Sequence, residues 1–508
     1  MSLYEHHETG LRFTSTDLEL FAAASHDRNP LHLSASYARL TPYGEPVVYG
    51  ILGMLASVAR LAEQGAIELV HVSAEFRNPM FAGIDYSVDV EDRGAGEAVL
   101  RIRDGARVAQ VASVTYRRRP ATARAAGAPD EGRHRPEAVV RDRNGLAPGT
   151  TVEGTYSTSR TAVRALLERI GIDPRSLPGA QVEALLWSSY LVGMELPGQQ
   201  ATFWKVDLEL GSDDTAVHLS PMRYRAAVSK FEDRLDIVTV DASLLDDQAT
   251  VATGVFQAFV RPPSPQPSVD RLQELVPGGE PLRGITAVVT GASRGLGAAI
   301  TQALALAGAE VLANYRHSAD RAERVRDDLG PLRDRIELLP GDAASAAWCR
   351  ELEPHLDRRG GPDLLICNAS PAIRPLDFHP DGVSRLQSFV SESVALVASP
   401  LAVCARGLQE RNGRVLVVSS SALENPPAEW PHYITAKAAI EGLTEWAAVR
   451  YRDVEFVLAR PPKLLTDQMN TPISRRGAAP IEVVAGEIVT ALSSGDLGAA
   501  TTANLRRI

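Results

Sequence analysis

The chain has 508 residues, too many for one hydrophobic core, and its 44% apolar and 23% charged residues suit a soluble globular protein of two to four domains. A formal net charge of −10 argues against a general binder of nucleic acid or of anionic membranes. The three cysteines, Cys349, Cys367 and Cys404, are far apart and form no CxxC pair, which fits a reduced, cytoplasmic setting and not a zinc site, so no bound metal is expected.

The opening Met1-Ser-Leu-Tyr-Glu-His-His7 lacks the basic and apolar regions of a secretion signal, and no apolar run approaches the length that spans a bilayer. Thr14-Ser-Thr-Asp17 caps a helix that carries Leu18, Leu20, Phe21 and Ala24 at helical spacing. A polar turn follows, and then an apolar, glycine-containing helix over residues 49–62 that reads as buried. Alternating stretches at 70–76, 86–90, 98–103 and 108–116 read as strands. The first segment, residues 1–118, is therefore expected to wrap a sheet around one long helix. Residues 117–148, rich in Arg, Ala, Pro and Gly, read as a linker.

In residues 149–262 the same order recurs: a helix over 182–194, then strands over 204–210, 224–231, 237–244 and 250–260. The order of elements marks this segment as a degenerate copy of the first. Its best polar candidates are Asp213, Asp214 and His218, which a solvated turn explains better. The proline-rich stretch 261–283 reads as a second linker. Residues 284–508 alternate strand and helix at 286–289, 296–306, 310–314, 318–329, 336–339, 364–367 and 415–419, the pattern of a parallel sheet with helices on both faces.

Asp27-Arg-Asn-Pro-Leu-His32 and Tyr43-Gly-Glu-Pro-Val-Val-Tyr-Gly50 carry the chemistry of the first segment. Adding water to an α,β-unsaturated thioester, or removing it, needs one group to move a proton at the α-carbon and another to handle the β-oxygen. A carboxylate and an imidazole divide that work. With the turn-bearing stretch Ala74-Glu-Phe-Arg-Asn-Pro-Met-Phe-Ala-Gly83, these residues resemble the MaoC-like family of R-specific enoyl-thioester hydratases, hot-dog folds, over residues 11–118. The resemblance implies that His32 acts as acid or base and that Asp27 activates water or takes the α-proton. It implies that Asn29 orients Asp27 or His32 by hydrogen bonding, and that the Gly50 N–H stabilises charge on the thioester oxygen. Tyr49 stands where the family has histidine, and Val58, beside Ser57, where it has a pocket serine. Hot-dogs usually work in pairs, so the resemblance implies an α+β double hot-dog. Residues 149–262 form its non-catalytic half, and helix residues 185–194 line the acyl pocket.

Ile285-Thr-Ala-Val-Val-Thr-Gly-Ala-Ser-Arg-Gly-Leu-Gly297 is an apolar run ending in a glycine-rich turn, with a helical pattern directly after it. Gly291, Gly295 and Gly297, with Ser293 among them, let the backbone approach a pyrophosphate at the positive end of a helix. Downstream lies Tyr433-Ile-Thr-Ala-Lys437, with Ser420 thirteen residues before the tyrosine. Together these resemble a short-chain dehydrogenase/reductase, an α/β Rossmann-like, doubly wound parallel sheet. The resemblance implies that Tyr433 gives a proton to a substrate carbonyl and that Ser420, or Ser421 one residue on, hydrogen-bonds that carbonyl. Lys437 supplies a nearby positive charge and binds the nicotinamide ribose.

The second strand ends in Leu312-Ala-Asn-Tyr-Arg-His317, without a carboxylate for a ribose 2′-hydroxyl. Arg294 and Arg316 suit a 2′-phosphate, so NADPH is favoured. Asp342 matches the family's adenine-contacting acid, and Asn368 lies in Cys367-Asn-Ala-Ser370, where the family has Asn-Asn-Ala-Gly. Pro461-Pro462 replaces its Pro-Gly. The usual active-site asparagine has no match, and Ser393 stands in its region.

Fusion of the two families narrows the chemistry. Reduction of a β-ketoacyl thioester yields the hydroxyacyl thioester that the hydratase family dehydrates. The expectation is a bifunctional β-ketoacyl-thioester reductase and 3-hydroxyacyl-thioester dehydratase in polyketide- or fatty-acid-like assembly. Its substrate is an acyl thioester on an acyl carrier protein or coenzyme A. An acidic carrier would meet basic residues such as Arg117-Arg-Arg119 or Arg506-Arg507. Short-chain reductases commonly pair through long helices, which implies a homodimer. Two other readings use the same residues: a hydratase/3-hydroxyacyl dehydrogenase of β-oxidation type, and a carrier-protein-binding scaffold with vestigial sites.

Overall fold

A computed structural model describes residues 9–120, 134–211, 221–246, 249–494, 500–502 and 505–507. Asp213, Asp214 and His218 lie outside the described residues. The chain divides into two units, Met1–Pro262 and Pro263–Ile508.

The first unit is built on an antiparallel sheet of strands β1 (Thr9–Arg12), β2 (Ile67–Phe76), β3 (Asp85–Gly94), β4 (Glu97–Asp104), β5 (Arg107–Arg118), β6 (Thr151–Tyr156), β7 (Ala201–Leu210), β8 (Met222–Glu232), β9 (Ile237–Leu245) and β10 (Thr250–Val260). The strand order is β1-β3-β4-β5-β2-β7-β10-β9-β8-β6. Matching β1–β5 to β6–β10 in turn makes this order identical from either end, so the unit is a tandem repeat with a pseudo-twofold. The halves join where β2 pairs β7, from His71↔Glu209 to Glu75↔Lys205. Segments 1–118 and 149–262 thus share one sheet and one apolar core.

Among the described residues six α-helices accompany this sheet: α1 (Ser15–Ser25), α2 (Pro30–Leu33), α3 (Ala35–Ala38), α4 (Gly50–Ala62), α5 (Arg160–Arg169) and α6 (Gly179–Tyr190). The Thr14 hydroxyl and the Asp17 carboxylate cap α1 reciprocally, as the sequence anticipates. Helix α4 is apolar almost all round because it lies inside the unit: every residue but Gly50 and Arg60 is buried. At Gly50 and Gly53 the helix approaches its surroundings closely: a Cβ on Gly50 would stand 2.6 Å from the Phe76 ring of β2, and one on Gly53 2.6 Å from the Met80 methyl and 2.7 Å from the Gln110 amide of β5. Strands β1 and β6 and helix α5 escape sequence reading. The two strands are short, and α5 (Arg-Thr-Ala-Val-Arg-Ala-Leu-Leu-Glu-Arg) buries only Val163, Leu166 and Leu167.

The halves differ most before their long helices. Residues 26–49, holding α2 and α3, separate α1 from α4, whereas residues 170–178 alone separate α5 from α6. The segment that carries Asp27 and His32 therefore has a much shorter counterpart in the second half. Part of the first predicted linker is also structured. Val139 pairs with the turn after α6, its N–H donating to Met194 O (2.9 Å) and its carbonyl accepting from Gln199 N (2.8 Å).

The second unit opens with α7 (Val269–Leu275), inside the stretch expected to be an extended linker; Leu272 is fully buried in the unit's core. Then come β11 (Thr286–Val289), α8 (Gly295–Leu306), β12 (Glu310–Tyr315), α9 (Ala319–Asp327), β13 (Ile336–Pro340), α10 (Ala346–Asp357), β14 (Leu364–Cys367), α11 (Pro380–Glu410), β15 (Arg414–Val418), α12 (Pro431–Arg450), β16 (Glu455–Ala459) and α13 (Ile481–Ser494). The parallel order β13-β12-β11-β14-β15-β16 reverses direction between β11 and β14. That switch point opens the crevice in which such sheets bind dinucleotides. Successive strand residues alternate between two cores: Ala287, Val289, Val311 and Ala313 face α8 and α13, while Val288, Leu312, Leu365 and Val415 face α10–α12.

Within α11, the stretch Gly382–Glu410 is long and apolar enough to cross a membrane by length and composition. This differs from the sequence expectation, because scattered polar residues such as Glu392 and Ser393 break up the continuous apolar run while the mean hydropathy of the stretch stays high. The helix packs on α12 and β14, as core helices of α/β sheets do.

Candidate active sites

In the first unit α1 ends at His26, whose left-handed backbone (φ 57°) turns the chain sharply inward. Asp27 and Asn29 follow, both buried. The Asp27 carboxylate accepts from Ser189 Oγ (2.7 Å) and from Asn29 N (3.1 Å). Burial pushes its pKa up to about 7, against the pull of those two donors. His32 lies one short turn on. Its Nδ1 donates to the Val47 carbonyl (2.8 Å), which leaves Nε2 with the lone pair. Burial, with the nearby Arg261 charge, pushes the imidazole down to about 4. Tyr49 joins the two: its ring stacks on His32 (3.8 Å) and its hydroxyl donates to the Asp27 carbonyl (2.7 Å). The phenol that stands in place of the family's histidine is thus fully engaged, and burial holds it protonated.

One expectation changes here. The side chain of Asn29 binds neither Asp27 nor His32. Its Nδ2 donates to Gly193 O (2.8 Å) and Gly198 O (3.2 Å), so Asn29 touches Asp27 only through its backbone N–H. Helix residues 185–194, expected to line an acyl pocket, contribute Ser189, which bonds Asp27 directly. Gly50 occupies the first turn of α4, where no preceding helical carbonyl is available to its N–H. Ser57 Oγ turns back onto Gly53 O (3.0 Å), and Val58 is fully buried.

In the second unit the glycine turn joins β11 to α8. Gly291 (φ 68°) and Gly295 (φ 54°) adopt backbone that favours glycine, and a Cβ on Gly297 would overlap the Gly291 carbonyl and the Asn368 amide. Ser293 is buried in the turn. Asn368 braces the turn: its Nδ2 donates to Gly291 O (3.1 Å) and Thr290 O (3.3 Å). Arg294 pairs with Asp467 (3.5 Å). Arg316 pairs with Asp342 (3.4 Å) and Glu392 (3.1 Å), so the two residues assigned to opposite ends of an adenosine moiety meet each other.

Ser420 follows β15, and its hydroxyl pulls the Tyr433 phenol down, which favours it over Ser421. Burial outweighs that pull and raises the phenol. Lys437 Nζ lies 5.5 Å from the Tyr433 ring centroid and donates to Val418 O (2.8 Å). The resemblance gives Lys437 as a positive charge beside Tyr433. In the structure burial brings the lysine itself down to about 8, the Glu441 carboxylate resisting. Glu441 in turn binds Ser419 Oγ and the Arg460 guanidinium (2.6 and 2.8 Å). A cavity of about 10 Å³ between Ser393, Tyr433, Lys437 and Phe389 is the size of one water. Ser393 Oγ donates to Phe389 O (2.7 Å). Burial raises all three thiols, Cys367 to about 12, and none is a poised nucleophile.

Family models place a MaoC like domain over residues 5–114 and a short chain dehydrogenase over residues 285–476. Over 230 residues the chain is 30% identical to an acetoacetyl-CoA reductase of Rhizobium meliloti (strain 1021), an overlap of 42% of this chain and 92% of that protein. The chain belongs to the short chain dehydrogenase family. It joins that family's domain to a MaoC-like domain at its N-terminal end. An acetoacetyl-CoA reductase of Shinella zoogloeoides is 28% identical over the same shares of each chain. Among solved structures, a short chain dehydrogenase from Burkholderia cenocepacia J2315 in complex with NADP aligns at TM-score 0.39 and 26% identity, over 45% of this chain and 97% of its own.

Membership of the short chain dehydrogenase family implies a nicotinamide dinucleotide, and the residues present fit one. The three glycines form a cradle that a Cβ would fill, at the N-terminus of α8. Nearby, Arg321 Nη1 is buried without a hydrogen-bond partner, within Coulombic reach of Arg294 and Asp467.

Sequence reasoning missed Arg321, Ser189 and Arg261. Arg261 opens a proline-rich stretch, yet its guanidinium is buried. Its Nη2 donates to Gln199 O (2.6 Å) and Tyr37 Oη (3.1 Å), and its Nη1 to Thr202 Oγ1 (3.1 Å). Ser189 had one faint signal, a pair of serines inside an otherwise apolar helix.

Proposed function

We propose that the chain reduces a β-ketoacyl thioester at its C-terminal unit and dehydrates the 3-hydroxyacyl product at its N-terminal unit, which is a double hot-dog with its catalytic half first. One observation carries this reading: a MaoC-like domain and a domain similar to acetoacetyl-CoA reductases occupy one chain. The two chemistries act consecutively on the same carbon.

When bound, NADPH supplies the hydride for the ketone carbon. Tyr433 gives its proton to the carbonyl oxygen, Ser420 donates a hydrogen bond to that oxygen, and Lys437 with a water beside Ser393 restores the proton. In the dehydratase, burial pushes the two groups apart in the direction their roles need: near pH 7 Asp27 can hold a proton while His32 stays neutral. His32 Nε2 takes the α-proton, Asp27 protonates the departing hydroxyl, and water leaves. The Gly50 N–H faces the charge that develops on the thioester oxygen.

The cofactor is NADPH and the setting cytoplasmic and biosynthetic, with the acyl group carried by coenzyme A or by a carrier protein. Arg294, Arg316 and Arg321 supply the charge for a 2′-phosphate. Replacing Arg321 by alanine should weaken NADPH binding by roughly tenfold and leave NADH binding unchanged, read by nucleotide fluorescence titration. Equal losses for both nucleotides would remove Arg321 from this role.

Incubating acetoacetyl-CoA with NADPH and the protein tests the whole scheme. Mass spectrometry should show 3-hydroxybutyryl-CoA and then crotonyl-CoA. Reduction without later loss of water would leave a reductase with an inactive MaoC-like domain.

A further inference from the structure

We infer that the second half of the N-terminal unit completes the dehydratase site, with Ser189 as the residue that positions the Asp27 carboxylate. The inference rests on the proposed dehydration at Asp27 and His32.

Four polar contacts, at Ser25, Asp27, Arg28 and Asn29, carry it. The turn that bears the acid is held from the other half at Ser25, whose carbonyl accepts from Tyr156 Oη (3.1 Å), and at Asp27, which accepts from Ser189 Oγ (2.7 Å). Arg28 N donates to Met194 Sδ (3.1 Å), and Asn29 Nδ2 to Gly193 O (2.8 Å). Three of these partners lie between Ser189 and Met194. Here α6 opens into a wide turn, in which Leu196 N reaches back to Leu191 O (2.8 Å), a geometry that recurs at functional sites. The turn brings Gly193 against the carboxylate: a Cβ there would lie 2.5 Å from Asp27 Oδ1. No other residue type fits without moving the acid.

The wide turn is itself clamped. Buried Glu195 accepts from Arg135 Nε (2.8 Å), Tyr190 Oη (3.1 Å) and Tyr224 Oη (3.2 Å). The second half has lost the room for a catalytic loop of its own and supplies this scaffold instead. The ionisable groups around Asp27 are Tyr49, the residue before α4, with His32 stacked on it, Tyr156 from β6, and His26 and Arg28 on its own turn. Both phenols are held protonated by burial, and both feel the charge of Asp27. Ser189 is therefore the side-chain donor that favours the ionised acid. Removing it should make Asp27 harder to ionise.

The test is the titration of Asp27 in the full chain, followed by infrared difference spectroscopy against Asp27→Asn and by the pH dependence of crotonyl-CoA hydration. In Ser189→Ala the midpoint should rise by on the order of one pH unit. Ser189→Thr, which keeps the hydroxyl, should stay with the parent protein, and Ser189→Cys, a weak donor of similar size, should fall between. A Ser189→Ala midpoint equal to the parent's, or a threonine variant displaced as far as alanine, would overturn the inference. Should the alanine variant fail to fold, the cysteine variant decides by the same shift. A parent protein without hydration activity would sink the functional reading, while the infrared midpoints still report on Ser189.

Discussion

Replacing Asp27 by asparagine should cut dehydration of a 3-hydroxyacyl thioester by roughly 10²–10⁴-fold and raise the stability of the N-terminal unit above pH 7. The first effect follows from its proposed place as the proton donor. The second follows from burial, which lifts the carboxyl from 3.8 to about 7. A group whose pKa is raised on folding contributes stability that is fully present below its unfolded value and is lost as pH rises through the folded value. Asp27 therefore weighs increasingly on the fold between about pH 4 and pH 7. Asparagine accepts the Ser189 hydrogen bond and carries no charge, so it avoids that loss, which is on the order of a few kcal/mol above pH 7.

His32 works in the opposite sense: its pKa falls to about 4 on folding, so its contribution grows with pH between about 4 and 6.5. It is present in both proteins and cancels in the comparison. Calorimetric melts of the two proteins across pH 4–9 should show a gap that opens as pH approaches 7 and then holds. Curves that stay parallel would mean that the acid is not desolvated.

The secondary elements around both sites were legible because each has one clear period. The apolar circumference of residues 50–62 announced a helix inside a sheet, and the strand at 286–289 before the glycine turn matches its predicted bounds. The motif residues Asp27, His32, Tyr433 and Lys437 were legible because their spacing is local. What sequence could not show were contacts set by long-range pairing. Ser189 reaches Asp27 from 162 positions away, and only the pseudo-twofold joining of β2 to β7 places it there. The same holds for Arg261, brought beside Tyr37 across 224 positions. Asn29 does hydrogen-bond Asp27, but through its backbone N–H and not its amide, because spacing shows that an amide is near an acid but not which way it points.

Replacing Tyr433 by phenylalanine should reduce ketone reduction by roughly 10²–10⁴-fold, with nucleotide affinity kept and dehydration of added 3-hydroxybutyryl-CoA unchanged. The ring remains to pack against Lys437, so the site keeps its shape, and only the phenol hydroxyl is lost. Because burial raises the phenol, it holds its proton at neutral pH and can give it to a substrate oxygen. In the proposed scheme the next donor behind it is Lys437, whose pKa is lowered to about 8. The charged lysine is present below that value and lost above it, so the parent enzyme's reduction rate should fall as pH rises through about 8. Residual activity in Tyr433→Phe should lack that limb, because the lysine then has no phenol to recharge. A variant that reduces acetoacetyl-CoA at the parent rate would show that another group donates the proton. Lost dehydration of added 3-hydroxybutyryl-CoA in the same variant would show that the two activities do not reside in separate units. The outcome matters for the scheme as a whole. If the phenylalanine variant still converts added 3-hydroxybutyryl-CoA to crotonyl-CoA, the two half-reactions are independent chemistries on one chain, joined only by the product that one makes and the other consumes.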